Sequence, residues 1–142
     1  MKASVENALT KIITGYFTDK SEIVAVYLFG SHARGQERSM SDVDVGVLLD
    51  EAALPQALKN RERYMVELSR LLRKDIHAVI LNSAGEGLMK QIFSRGRCIL
   101  VNDPEKHAVF RTAMFSRIAD FSYLKNQMQS GFARKLMELN ND

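Results

Sequence analysis

FGSHARGQERSMSDVDVGVLL, running from Phe29 to Leu49, decides the reading of this chain. An apolar run, Ile23 to Phe29, leads into it, and Gly30-Ser31 ends that run. A charged, polar loop follows as far as Ser41, and Asp42-Val43-Asp44 then opens a second apolar run that ends at Leu49. Short apolar runs bounded by such turns read as strands. Side chains two apart in a strand share a face, so Asp42 and Asp44 project together, their roots about 7 Å apart. Val43, Val45 and Val47 point the other way, into a core. Two carboxylates side by side repel each other unless a cation lies between them. Hard oxygen ligands in that arrangement suit Mg²⁺, which takes one or two carboxylates together with substrate phosphates. Gly30 permits close backbone approach to a phosphate. Ser31 adds a hydroxyl and an N–H, and Arg34 a fork-shaped cation matched to phosphate oxygens.

Gly30-Ser31, ten residues, then Asp42-x-Asp44, with Arg34-Gly35 inside the loop, resembles the signature of the minimal nucleotidyltransferases of the polymerase-β-like superfamily. The spacing fits without a gap. The small size of the chain is similar to that of the MNT antitoxins of HEPN/MNT toxin–antitoxin pairs. The resemblance covers most of the chain, but its chemistry is confined to this stretch and one later aspartate. Asp75 opens another short apolar strand, Ile76 to Leu81, as Asp42 opens the second one. In the resembled family a third carboxylate sits on such a neighbouring strand. The bland alternative for Asp75 is a strand-edge acid paired with Arg73 or Lys74.

What the resemblance implies is specific. Asp42, Asp44 and Asp75 would be catalytic and would bind Mg²⁺, two ions in all. Gly30, Ser31, Arg34 and Ser41 would hold the nucleotide. The donor would be ATP, and the acceptor a tyrosine hydroxyl on a HEPN-domain ribonuclease toxin, which AMP transfer would block. A P-loop is rejected: Gly30 and Gly35 have its glycine spacing, but Gln36-Glu37 stand where that motif needs Lys and then Ser or Thr. Three other readings compete. The first is a binding module that covers a toxin through the C-terminal helix. The second is a small-molecule nucleotidyltransferase of the antibiotic-modifying kind, whose chains usually carry a further domain. The third is a basic nucleic-acid binder, for which interleaved aromatics and a strong charge stripe are missing, so no direct nucleic-acid contact is expected.

At 142 residues the chain suits a single nucleotidyltransferase domain with a C-terminal helical segment over about 105–139. A net charge of +3 suits an anionic ligand or an acidic partner and is too small to argue nucleic-acid binding. The lone cysteine, Cys98, excludes an intrachain disulfide and is expected in the core. Glu6 and Lys11 interrupt any signal-peptide apolar region, and no run reaches membrane-span length, so a cytoplasmic protein without a membrane partner is expected.

The remaining segments alternate. Ala3 to Phe17 has helical spacing through Val5, Leu9, Ile12, Ile13 and Tyr16. A helix is expected from Pro55 to about Arg73, with Leu58, Met65, Leu68, Leu71 and Leu72 as its apolar stripe. Its basic residues, Lys59, Arg61, Arg63, Arg70, Arg73 and Lys74, read as a solvated face. A short helix over Gly87 to Arg95 ends on Gly96 as a C-cap, and Arg97 to Val101 reads as a fourth strand. From Glu105 a helix carries Phe110, Met114, Phe121, Leu124, Met128, Phe132 and Leu136, with a break expected at Ser130-Gly131. His77 shares a strand face with Asp75 and so could touch the site, but it is assigned as an ordinary sheet residue and kept off the catalytic set. His32 is left unassigned, and His107 is placed on a helix surface. The element order gives an α/β (α+β) fold, a small mixed sheet with helices packed against it and the site at a sheet end.

Overall fold

Ile23–Phe29 forms β1, and all seven of its residues are buried. A strand with no polar face must lie inside a sheet that is covered on both sides. The computed structural model, which describes residues 2–30 and 43–140, places it there. The other strands are β2 (Val43–Leu49), β3 (Ile76–Ile80) and β4 (Arg97–Val101). The helices are α1 (Lys2–Thr18), α2 (Ala57–Leu72), α3 (Glu86–Arg95) and α4 (Pro104–Asn140). The sheet order is β3-β2-β1-β4. β1 runs antiparallel to both β2 and β4, and β2 runs parallel to β3. A parallel neighbour needs a crossover, and α2 supplies it.

Each face of the sheet has its own core. Val43, Val45 and Val47 pack on the α1–α2 side with Ile13, Phe17 and Tyr64. Tyr27, Phe29 and Leu48 pack on the other side with Met89, Ile92 and Met114 of α3 and α4. A register shift between Ile23 and Ala25 lets Val24 and Ala25 both serve this second core. The aromatic rings of Tyr16, Phe17 and Tyr64 meet edge to face, with centroids 4.8 to 6.1 Å apart. The phenols of Tyr16 and Tyr64 donate outward to Glu67 and Glu22 at 2.9 and 2.8 Å, which satisfies the polar ends of two core rings.

The alternating valines of β2 face the core as expected, and β4 has the expected bounds. Several expectations need correction. Asp50 is followed by a 3₁₀ segment, Glu51–Gln56, that contains Pro55, and the α-helix begins only at Ala57. The buried stripe of α2 is Tyr64 and Leu68, while Leu58 is 74% exposed and Leu71 is exposed too. Tyr64 was missing from the expected stripe because its hydroxyl disguises a core ring. The basic face is only partly solvated: Arg63 pairs with Glu22 at 3.2 Å, and Arg61 Nε donates to the Ala78 carbonyl at 2.7 Å, capping the outer edge of β3.

Cys98 is exposed, because β4 is an edge strand with only half-buried or exposed residues. His107 is buried, 8% exposed, with Nε2 2.6 Å from the Tyr27 hydroxyl. Its spacing of seven from Met114 puts it on the inner face of α4. Gly96 ends α3 in an extended conformation and not in a left-handed one. It is required there by contact, since a Cβ would stand 2.4 Å from the Ile92 carbonyl oxygen and 3.1 Å from that of Leu28. Ser130 and Gly131 are helical, so α4 runs unbroken for 37 residues. One glycine costs only about 1 kcal/mol relative to alanine, too little to stop a long helix. Phe110 and Met114 of its stripe pack on the body, whereas Met128 is 75% exposed. Phe121, Leu124, Phe132 and Leu136 lie outside the residues whose side chains are described. Among the described residues no helix is long and apolar enough to cross a membrane.

Candidate functional site

The last residue of β1 and the first residues of β2 and β3 meet at one end of the sheet. Phe29 stands opposite Asp44 across the antiparallel pair, and Asp44 stands opposite His77 across the parallel one. The Val43 N–H donates to the Asp75 carbonyl at 2.9 Å, which locks the starts of β2 and β3 together. Alternation along β2 puts Val43 and Val45 in the core, so Asp44 necessarily faces the other way. It sits beyond the cover that α3 and α4 give to Leu48 and Tyr27 on the same face, and its side chain is 28% exposed.

Gly30 follows β1 with φ +76°, a left-handed conformation that glycine adopts without steric cost. A Cβ at this position would lie 2.3 Å from Asp44 Oδ2. Glycine is therefore needed twice here, for the turn and for the room beside the carboxylate. The other carboxylate oxygen, Oδ1, lies 3.2 Å from Nδ1 of His77. Asp75 is exposed at the entrance to β3. Ser31, Arg34, Ser41 and Asp42, and His32 with them, lie outside the described residues.

Sequence reasoning gave His77 no role, yet it is the described side chain in contact with Asp44. The spacing of His77 from Asp75 gave their shared face; what was lacking was the β2–β3 register, which brings that face to Asp44. Among the described residues no three metal-ligating side chains converge. The donors that are described nevertheless fit Mg²⁺. Asp44 and Asp75 offer hard, solvent-reachable oxygens.

A cleft of about 500 Å³ opens at the opposite end of β2, lined by Leu48, Leu49, Asn82, Val109 and Phe110 among others. Several of its polar groups are already partnered. Lys106 Nζ donates to Asp50 at 2.8 Å, lowering the carboxyl pKa of Asp50 and raising the ammonium pKa of Lys106. Asn82 pairs its amide with both backbone groups of Leu49, at 2.9 Å each. The sheet end at Asp44 is the better candidate for chemistry.

Comparison with known proteins bears on the family and the fold. The family model described as polymerase beta, nucleotidyltransferase, matches residues 11–105, which span β1, the loop, β2, α2, β3 and β4. No curated protein matches the chain. Among solved structures, a toxin–antitoxin with AMP-PNP is 26% identical over 88% of this chain and 93% of that one, with a TM-score of 0.63. The toxin–antitoxin MntA-HepT is 22% identical over 87% of this chain and 93% of that one, TM-score 0.60. A complex of tri-AMPylated HEPN toxin with MNT antitoxin from Shewanella oneidensis is 24% identical over 92% and 94%, TM-score 0.58.

Proposed function

Because the chain belongs to the polymerase beta nucleotidyltransferase family, we propose that it is an MNT-type antitoxin that transfers AMP from ATP to a tyrosine hydroxyl of a HEPN-domain toxin and releases pyrophosphate. The observation that carries this reading is the pairing of Gly30 with Asp44: a left-handed glycine whose absent Cβ lets the Asp44 carboxylate lie against the turn at the sheet end. Its likeness to a toxin–antitoxin with an ATP analogue supports the choice of donor and partner. The Shewanella complex, whose toxin carries AMP, shares the fold and makes the toxin the acceptor to test.

Asp42, Asp44 and Asp75 would hold magnesium, in two ions. When bound, magnesium neutralises triphosphate charge and makes the acceptor oxygen more acidic. The chain's own residues position the reactants. Gly30 lets the backbone approach the triphosphate, and Ser31, Arg34 and Ser41 hold its oxygens. Asp75 takes the proton of the tyrosine hydroxyl. The tyrosine oxygen bonds to the α-phosphorus as the bond to the bridging oxygen breaks, and pyrophosphate leaves. Positioning and charge neutralisation account for most of such a rate enhancement.

The test is intact-mass spectrometry of the HEPN partner after incubation with this protein, Mg²⁺ and ATP. The partner is expected to gain mass in steps of one AMP, and Asp42→Asn with Asp44→Asn is expected to abolish the gain while the variant stays folded. Full transfer by that double variant would remove the mechanism. A second reading, neutralisation by coverage, is favoured by the exposure of α4 from Lys125 to Ser130. It predicts that truncation from Gln129 breaks the complex while the aspartate variants still neutralise the toxin.

A further inference from the structure

We propose that His77 is a positioning residue that holds the Asp44 carboxylate in the orientation used for nucleotidyl transfer, an inference that rests on the reading above. Three observations converge on it. His77 is the register partner of Asp44 across the parallel pair, so both side chains leave the sheet on the same face and at the same height. Nδ1 of His77 lies 3.2 Å from Oδ1 of Asp44. A carboxylate can only accept, so Nδ1 carries the proton and donates. Gly30 then bounds the other oxygen, Oδ2, on the opposite side.

The carboxylate thus lies between a donor at Oδ1 and Gly30 at Oδ2, and only the donor fixes its orientation. Without the donor, an acid at an exposed strand end turns freely about its terminal torsion, which is broad for aspartate. Groups that orient a metal-binding carboxylate typically contribute 10- to 100-fold in affinity or rate. His77 is 54% exposed and its bond is long, which places the effect near the lower end, about tenfold. The same exposure frees His77 from the core. Ile76, Ala78 and Ile80 are the buried residues of β3, so replacing His77 leaves the packing intact.

Two substitutions in the full chain separate orientation from structure. His77→Val keeps a good strand former and removes the donor; His77→Asn keeps an N–H close to the place of Nδ1. The first readout is the affinity for Mn²⁺ alone, by calorimetry, without nucleotide. The second is the kcat and KM for ATP in AMP transfer to the HEPN partner. His77→Val is expected to weaken Mn²⁺ binding and lower kcat by about tenfold each, with KM for ATP and melting temperature close to wild type. His77→Asn is expected to restore both readouts to within about threefold of wild type. The proposal is overturned if His77→Val matches wild type, or if His77→Asn is as impaired as His77→Val. If the wild-type chain transfers no AMP, the function proposed above fails while the Mn²⁺ titrations still decide the role of His77. A wild-type chain that binds no Mn²⁺ overturns both.

Discussion

Gly30 is the residue whose replacement tests the site most sharply. Alanine there would have to adopt φ +76° with its methyl 2.3 Å from Asp44 Oδ2. Gly30→Ala is expected to cost at least about 1 kcal/mol of stability in a denaturant titration. AMP transfer should fall far more than that loss explains, because the displaced group is the carboxylate itself. His107 makes a second prediction, for pH. Burial, with the Arg111 guanidinium adding to it, lowers its pKa below the ordinary histidine value of about 6.5. The unfolded chain takes up a proton as pH falls through about 6.5, while the folded chain resists it. Stability should therefore be complete above that pH and decline as the solution is acidified toward the lowered folded value. Melting temperatures across that window are the measurement, and His107→Gln should flatten the decline. At this scale the sequence was informative where residue type and local geometry coincide, as at Gly30 with its left-handed turn and Asp44 with its outward-facing strand position. It was silent where the partner comes from elsewhere in the chain. Nothing local to His107 announces Tyr27, 80 residues away, and nothing local to His77 announces Asp44.

Elements were legible wherever one periodicity dominated. β1 and β4 occupy the expected residues, and α1 and α3 extend only slightly beyond theirs. The faces were less legible, since a helix stripe read from aliphatic residues overlooked Tyr64 and included the exposed Leu58. Cys98 shows the same limit: an apolar run does not reveal whether its strand lies at the middle or the edge of a sheet. Two glycines give opposite predictions. Gly15 lies inside α1 with open space where a Cβ would go, so Gly15→Ala should stabilise the protein by about 1 kcal/mol. At Gly96 the atoms that would meet a methyl are backbone carbonyls, which cannot swing aside. Gly96→Ala should destabilise by about 1–3 kcal/mol, the usual cost of overpacking. Chemical denaturation of the two variants side by side checks both signs.

Across the whole molecule, the fold places its candidate chemistry at one end of a sheet and packs its longest helix farther along the same face. The mixed sheet with helices packed against it was legible from the order of elements; that the helices cover both faces was not. The strand order was not, because β1 takes neighbours from both before and after α2 in the chain, and only the pairing reveals that. Asp44 and His77 come from segments separated by the whole of α2, so the site forms only when the parallel pair has formed. Variants that loosen the β2–β3 pairing should lose divalent-ion binding before they lose helical circular dichroism.

The burial of β1 has a consequence for how the molecule opens. Its backbone is tied on both edges, by β2 and by β4, and all of its residues are buried. Local openings release amides at exposed margins first, and the most enclosed strand exchanges only with global unfolding. In deuterium exchange, amides of Val26 to Leu28 should be among the last to label, while the outward amides of β4 label early. Gly30 hangs directly from that slow strand, so the glycine that borders Asp44 is anchored to the part of the protein that breathes least.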